Sequence, residues 1–263
     1  MQNRRLFLAG LSGAALAPFL PGAAFAKAVA GVSYGPNKLD IYPAAQPGAP
    51  VCVYVHGGGW RLGSREAVAS MPEWFAAQGW GMVSVGYSLS ANVGRQAAEI
   101  AQAVQWVGAN IGGYNGDGAR LALMGHSAGC HLSCLAALKH GAPVKALIAN
   151  DTAAYDVAYL ASLNHGVLPF IYAQPFSDRS RWQEWSPISY ASARPELPVL
   201  VAWSGGANRD KVSARFIAAL QGGGHAVTPF NGAAYSHISI SRAIGKPGDP
   251  LANAVGAFLR QHV

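Results

Sequence analysis

The pattern of apolar positions along the chain predicts short strands that alternate with longer helices. Apolar runs typical of buried strands lie at 29–34, 38–42, 51–55, 81–85, 121–124, 144–149, 199–203 and 226–230. Segments with helical periodicity lie at 66–78, 95–110, 128–140, 210–221 and 250–261. This order indicates one α/β domain, with a mostly parallel sheet of about eight strands and helices on both faces. A chain of 263 residues is long enough to bury a sizeable core in such a domain.

The most informative stretch is 121–131, where the apolar LALM run is followed by GHSAG and then by a helical segment. A serine flanked by glycines between a strand and a helix is typical of a nucleophile elbow, a strained turn that presents the serine hydroxyl. Small residues are needed on both sides because backbones crowd there. The pattern therefore predicts that Ser127 is a nucleophile.

A second motif, HGGGW at 56–60, directly follows the third predicted strand. Its three glycines let the backbone approach a bound substrate and present amide groups to it. We expect His56 to brace this loop. We expect Trp60 to line a pocket, and a role as a cover for the sheet edge is the alternative.

With these motifs, the chain resembles the α/β-hydrolases, in particular the esterase and arylformamidase (kynurenine formamidase) group. The matching sequences are LDIY at 39–42, HGGGW at 56–60, GHSAG at 125–129 with HL at 131–132, YD at 155–156, SP at 186–187 and SHISI at 236–240. They span nearly all of the chain after residue 26, in the family's order. The resemblance implies an α/β-hydrolase fold and a serine hydrolase that needs neither a metal nor an organic cofactor.

The resemblance also implies a role for each matching residue. Ser127 would attack a carbonyl carbon, and His237, at the family's histidine position, would take up the serine proton. The amides of Gly58 or Gly59, with the amide of Ala128, would form the oxyanion hole.

The acidic partner of His237 is the least determined of the site residues. The family's acid follows the strand at 199–203, where this chain reads SGGANRD at 204–210. Asn208 stands where a carboxylate is expected, and Asp210 is the first carboxylate after it, so we predict that Asp210 is the acid. Asp151 and Asp156, after the preceding strand, are the alternatives. Asp156 ranks low, because the Tyr-Asp pair to which it belongs is usually structural in this family.

Residues 157–196 combine many aromatic side chains with prolines and polar residues. A loop-rich segment of this kind between two sheet strands is typical of a small cap over an active site. We expect Trp182 and Trp185 to lie in the substrate pocket, and ordinary packing of the segment against the body is the alternative.

Residues 1–26 have the pattern of an export signal, with NRRLFL at 3–8, an apolar stretch and an AFA cleavage site at 24–26. The paired arginines resemble a twin-arginine signal, so we expect passage through that export machinery to the periplasm or beyond. An ordinary secretory signal and an uncleaved anchor are the alternatives. No later segment has the uninterrupted apolar length of a membrane span, so we expect no stable membrane anchor.

Charge and cysteine content narrow the set of partners. The formal net charge is +7, but the basic residues are scattered, so we expect no nucleic-acid partner. The three cysteines, Cys52, Cys130 and Cys134, indicate neither a disulfide framework nor a zinc site. We expect Cys52, which lies in an apolar strand, to be a buried thiol.

Three functions are compatible with these observations. The first is a serine esterase that cleaves small-molecule carboxylic esters through an acyl-enzyme intermediate. The second is an arylformamidase acting on compounds like N-formylkynurenine, which HGGGW favours slightly and export disfavours. The third is a non-catalytic binding protein on a hydrolase fold, for which the unusual loop at 204–210 is the only support.

Overall fold

A computed structural model describes residues 27–206 and 208–263. The predicted export signal at 1–26 lies outside the described residues. No helix in the described part of the chain is long and apolar enough to cross a bilayer.

One sheet of eight strands forms the centre of the described structure. The strands are β1 (Val29–Ser33), β2 (Lys38–Tyr42), β3 (Ala49–Val55), β4 (Gly81–Val85), β5 (Gly116–His126), β6 (Ala146–Asn150), β7 (Val199–Ser204) and β8 (Val227–Gly232). Their order is β1-β2-β4-β3-β5-β6-β7-β8. The pairs β1–β2 and β2–β4 are antiparallel, and all other neighbours are parallel. The predicted mostly parallel sheet is confirmed.

Eight α-helices surround the sheet in the described residues. They are α1 (Met71–Ala77), α2 (Val93–Asn110), α3 (Ala128–Leu138), α4 (Val157–Ser162), α5 (Phe170–Ala173), α6 (Arg209–Gly222), α7 (His237–Ala243) and α8 (Pro250–His262). Short 3-10 helices lie at Ile111–Tyr114, Arg179–Arg181 and Pro187–Tyr190.

Local sequence explains where several of these helices begin. The side chain of Asn92 accepts a hydrogen bond from the amide of Arg95 and so caps α2. Asp249 caps α8, whose first residue is a proline with its backbone angle already suited to a helix. The predicted helix at 66–78 begins later, at Met71, because Pro72 favours the first turn of a helix.

Alternate residues of the central strands enter two separate apolar cores, one on each face of the sheet. Val51, Val53 and Val55 pack into the core under α2, α3 and α6, whereas Cys52 and Tyr54 pack into the core under α1 and α8. This two-residue alternation follows from the pleat of a strand, and covering both faces requires helices on both sides. The three cysteines are buried free thiols.

Residues 157–196 form α4, α5 and two of the 3-10 helices on the side of α3. Tyr172, Phe176 and Trp185 of this segment are buried in the same core as α2 and α3. Much of the segment is therefore packed against the body, which was the alternative to a cap; its role as a cap stays a prediction.

Candidate active site

Ser127 lies in a tight turn between the end of β5 and the start of α3. Its backbone has φ 57° and ψ −121°, a strained conformation for a residue with a side chain. A Cβ at Gly129 would overlap the carbonyl oxygen of Val55 on the neighbouring strand, and one at Gly125 would overlap the carbonyl oxygen of Gly129. The two glycines of the motif are therefore required by backbone crowding, as the sequence predicts.

His237 is placed against Ser127 by the start of α7. Ser236 caps this helix, since its hydroxyl accepts a hydrogen bond from the amide of Ser239 while Ser239 Oγ accepts one from the amide of Ser236. His237 Nε2 lies 2.9 Å from Ser127 Oγ. The two residues are 110 positions apart in the chain, and the structure brings them together as predicted.

Asp151, and not Asp210, is the carboxylate that contacts His237. Asp151 directly follows β6, is fully buried, and its Oδ2 lies 2.7 Å from His237 Nδ1. Asp210 is exposed to solvent in the first turn of α6 and does not take the position predicted for it. Asp210 does not reach His237 because α6 begins at Arg209, and it is the Arg209 side chain that points toward Asp151.

Ser204, at the end of the neighbouring strand β7, and Arg209, at the start of α6, hold Asp151 in place. The amide of Ser204 donates to Asp151 Oδ1 over 3.1 Å, and the hydroxyl of Ser204 donates to Oδ2 over 2.6 Å. Arg209 Nη1 donates to Asp151 Oδ1 over 2.8 Å. Asn208, the other residue considered for this place, precedes α6 in a left-handed conformation and makes no side-chain cap.

These contacts keep Asp151 ionised. Burial by itself raises the pKa of a carboxyl group, but the hydrogen bond from His237, the charge of Arg209 and the hydrogen bonds from Ser204 outweigh it. The pKa of Asp151 is lowered to about 2. Since a carboxylate can only accept, His237 Nδ1–H donates to Asp151, which leaves Nε2 to accept from the Ser127 hydroxyl.

Among the candidate acids, the sequence analysis ranked Asp151 too low, behind Asp210. A signal for it was present: Asp151 follows an apolar strand that pairs in parallel with the strand carrying Ser127. Carboxyl ends of neighbouring parallel strands meet at one edge of the sheet, where ligands bind. Asp156, the other alternative, caps α4 through Tyr159 and pairs with Arg215, so it has a structural role.

The glycine loop at 56–59 lies directly against the serine turn. A Cβ at Gly57 would come within 3.0 Å of Ser127 Cβ, and Gly58 and Gly59 have φ values of 129° and 59° that favour glycine. Gly58 and Gly59 line the same cleft as Ser127 and His237. Ala128 is the first residue of α3, where backbone amides lack partners within the helix. Gly58, Gly59 and Ala128 therefore lie around the serine turn, and their role as an oxyanion hole stays a prediction.

The cleft over Ser127 has a volume of about 610 Å³. It is lined by Tyr54, His56, Gly57, Gly58, Gly59, Leu62, Ala67, Ala69, Met71, His126, Ser127, Ile171, His237, Ile238, Ser241 and Arg242. A second cleft, of about 670 Å³, lies away from these residues, near Lys145, Arg194 and Glu196. Neither serine nor cysteine lines that second cleft, so the chemistry described above belongs to the first.

Comparisons with known proteins agree with this fold. Residues 39–162 match the BD-FAE family model. A solved structure of a truncated carbohydrate esterase from gut microbiota has a TM-score of 0.75 at 16% identity, over 90% of this chain and 96% of that one. An arylesterase structure has a TM-score of 0.71 at 17% identity, over 92% of this chain and 86% of that one. The chain therefore has an α/β-hydrolase fold.

Two curated relatives are esterases. The chain is 31% identical to Esterase LipQ of Mycobacterium tuberculosis (strain ATCC 25618 / H37Rv), over 92% of its own length and 65% of LipQ. It is 28% identical to the chlorogenic acid esterase of Aspergillus niger, over 64% of its own length and 36% of that enzyme. The chain thus spans less than two thirds of either relative.

The three tryptophans predicted for the substrate pocket do not line the cleft over Ser127. Trp60 is buried and its Nε1–H donates to His131 Nδ1 over 3.2 Å, while His131 Nε2 lies 2.7 Å from the carbonyl oxygen of Trp185. Trp182 donates to the carbonyl oxygen of Phe176 over 2.7 Å. Trp60 and Trp182 satisfy their indole N–H groups within the protein, whereas the buried Nε1 of Trp185 has no hydrogen-bond partner among the described residues. Through His131, Trp60 and Trp185 join the glycine loop, α3 and the 157–196 segment.

A second histidine beside the serine turn, His126, packs against His237 with ring centroids 4.7 Å apart. Its Nε2 lies 2.9 Å from the carbonyl oxygen of His237, so it donates there and helps to hold the start of α7. Burial, followed by the proximity of His237, lowers the pKa of His126 to about 4. His126 is therefore a neutral positioning residue at ordinary pH.

His126, Asp151 and His237 also offer three possible metal-ligand atoms within 4.8 Å of one another. However, both ring nitrogens of His237 and both carboxylate oxygens of Asp151 already have hydrogen-bond partners within the protein. A metal ion would have to break the contact between His237 and Ser127 or Asp151. The arrangement fits a proton relay better than a metal site.

Proposed function

We propose that this protein is a serine hydrolase that cleaves carboxylic esters through an acyl-enzyme intermediate. The observation that carries the proposal is the unbroken hydrogen-bond chain from Ser127 through His237 to the buried carboxylate of Asp151. A serine hydroxyl is a weak nucleophile unless a neighbouring base takes its proton, and this chain supplies such a base in a fixed orientation.

The mechanism follows from the geometry. Ser127 Oγ attacks the ester carbonyl carbon as His237 Nε2 takes the hydroxyl proton, and Asp151 stabilises the resulting imidazolium. The oxyanion is held by the amide of Ala128 and by an amide of Gly58 or Gly59. His237 then gives the proton to the departing alcohol. Water, activated by His237, attacks the acyl-enzyme in the same way and releases the acid.

Formamide hydrolysis, as in the arylformamidases that the HGGGW motif resembles, is the second candidate function. The same residues could cleave an N-formyl group, but the structure weakens the argument from the HGGGW motif. Trp60 is buried in hydrogen-bonded contact with His131 and does not line the cleft. Trp60 of the motif therefore anchors the glycine loop, and it does not give the cleft a preference for an aromatic amine.

The test is hydrolysis of p-nitrophenyl acetate and N-formylkynurenine by the purified protein, with Ser127→Ala as the matched control. Ester turnover that falls to background in Ser127→Ala is the expected result. A preference for the formamide would favour the second candidate. Turnover that persists in Ser127→Ala, or binding without any turnover of either compound, would contradict the proposed chemistry and favour a non-catalytic binding protein.

The cellular location is also a proposal. The twin-arginine pattern at 3–8 and the cleavage site at 24–26 support export to the periplasm by that machinery. Replacing Arg4 and Arg5 together by lysine is expected to retain the protein in the cytoplasm, as followed by cell fractionation. Unchanged export in that variant would favour an ordinary secretory signal.

A further inference from the structure

Exposed apolar side chains are concentrated at the mouth of the Ser127 cleft. Of the six large apolar side chains that are exposed in the described part of the chain, three line the cleft and two lie within four residues of Ile171 in sequence, while the sixth is Val29 in β1. The five, which we call the apolar collar, are Leu62, Val167, Phe170, Ile171 and Ile238. Phe170 is 95% exposed, which is unusual for a side chain of that size.

The collar is continuous with the cleft. Leu62, Ile171 and Ile238 line the cleft itself, and Ile238 directly follows His237. The Ile171 side chain lies against the glycine loop, since a Cβ at Gly59 would be 2.7 Å from Ile171 Cδ1. Substrate that enters the cleft must therefore pass these three apolar side chains.

Two members of the collar extend beyond the reach of a small substrate. Phe170 directly precedes Ile171 in the chain and Val167 lies four residues before it. Neither lines the cleft, yet they are 95% and 65% exposed. A small ester held at Ser127 would gain nothing from them. An apolar surface of this extent around a binding site is typical of contact with a larger apolar partner.

Arginines accompany the collar. Arg61 precedes Leu62, Arg242 lines the cleft one helical turn after Ile238, and Arg179 donates to the carbonyl oxygen of Gly166 next to Val167. Within residues 27–206 and 208–263, these three arginines form no ion pair with a carboxylate. Cationic side chains beside exposed apolar ones are suited to an anionic headgroup layer over an apolar interior.

We propose that the apolar collar docks this hydrolase onto the surface of an assembled anionic amphiphile, a bilayer or micelle, from which an apolar ester enters the cleft. The proposal rests on the proposed function and narrows its substrate class to esters that collect in such assemblies. Phe170 and Val167 enter the apolar layer, and the arginines contact the headgroups. Ile171, Leu62 and Ile238 then guide the ester toward Ser127.

The test measures binding without turnover, in the full chain carrying Ser127→Ala, by co-sedimentation with vesicles of phosphatidylcholine and phosphatidylglycerol. Adding Phe170→Ser and Val167→Ser is expected to weaken binding at least fivefold. Val29→Ser, the same kind of substitution at an exposed apolar residue outside the collar, is the matched control and is expected to leave binding unchanged. Vesicles of phosphatidylcholine alone are expected to bind more weakly, and Arg242→Gln is expected to reduce that difference.

Several results would overturn the proposal. Failure of the parent protein to bind vesicles, or equal losses in the Val29 and Phe170 variants, would remove its basis. Binding that survives loss of Phe170 and Val167 would assign the contact to another part of the chain, such as residues 1–26. If the parent elutes as a dimer in size-exclusion chromatography and Phe170→Ser as a monomer, a second copy covers the collar. Because Ser127→Ala is used throughout, loss of the proposed hydrolysis would leave this test intact.

Discussion

Arg209 and Asp151 form a buried ion pair at the site, with Arg209 Nη1 2.8 Å from Asp151 Oδ1, while the other oxygen of the same carboxylate faces His237. The Asp151 side chain is fully buried and that of Arg209 is 15% exposed. The carboxylate is therefore held from two directions, and its orientation toward His237 depends on a residue that touches neither Ser127 nor the cleft.

We expect Arg209→Met to destabilise the protein and to reduce kcat. Removing one partner of a buried pair leaves the other charge without compensation, which costs about 3–5 kcal/mol. The free energy of unfolding in urea and the rate of ester hydrolysis are the measurements. Arg215→Met is the matched control on the same helix, since Arg215 is 51% exposed in its pair with Asp156 and should cost about 0–1 kcal/mol. Equal losses in the free energy of unfolding for the two variants would contradict the assignment of Arg209 and Asp151 as a buried ion pair.

The acid of the site can be identified directly by comparing two isosteric variants. Asp151→Asn should lower kcat by about 10,000-fold, because the amide cannot stabilise the imidazolium and favours the wrong tautomer of His237. Asp210→Asn should retain activity, because Asp210 is exposed and Asp151 occupies the contact with His237. Steady-state kinetics on p-nitrophenyl acetate would decide between them, and a larger loss in the Asp210 variant would restore the sequence-based prediction.

Glycine substitutions should test the crowding around the elbow. Gly129→Ala places a Cβ on the carbonyl oxygen of Val55, which is backbone and cannot move away cheaply, so we expect a loss of several kcal/mol or failure to fold. Gly222→Ala, at the end of α6 with no atom within 4 Å of the added Cβ, should stabilise by about 0.5–1 kcal/mol. Thermal melting of both variants provides the comparison, and a tolerated Gly129→Ala would show that the β3 backbone yields.

Stability should fall as the pH falls from about 6.5 to about 4. Burial lowers the pKa of His131 to about 4. Its Nδ1 accepts a hydrogen bond from Trp60 Nε1–H, so protonating Nδ1 would leave two N–H donors facing each other without an acceptor. The unfolded chain takes up this proton near pH 6.5, so the folded state loses on the order of 3 kcal/mol over that interval for this histidine. Urea unfolding at several pH values measures the slope.

His131→Leu should flatten that slope while lowering stability at pH 7, because Trp60 and the carbonyl oxygen of Trp185 lose their partner. The exposed His165, replaced by Asn, is the control and should leave the slope unchanged. An unaltered slope in His131→Leu would mean that other groups, such as the buried His126, carry the whole dependence.

The short-range pattern of the chain was sufficient to predict the sheet, the elbow and the base. A strand, a glycine-flanked serine and a helix are adjacent in sequence, and the crowding of Gly125 against the backbone of Gly129 follows from that adjacency. The crowding at Gly129 itself comes from Val55 on the neighbouring strand β3. His237 likewise sits at the start of a helix that its own neighbours cap. Such features depend on local backbone geometry, which the residues beside them determine.

Tertiary structure alone decided which carboxylate meets His237 and where the tryptophans point. Asp151 and His237 are 86 positions apart, and only the parallel pairing of β5, β6 and β7 brings Asp151, Ser204 and the start of α6 to one edge of the sheet. Trp60 was predicted for the pocket, but a neutral buried His131 offers its indole an acceptor in the core. Composition cannot show such pairings, because they depend on which polar groups lose water together when the chain packs.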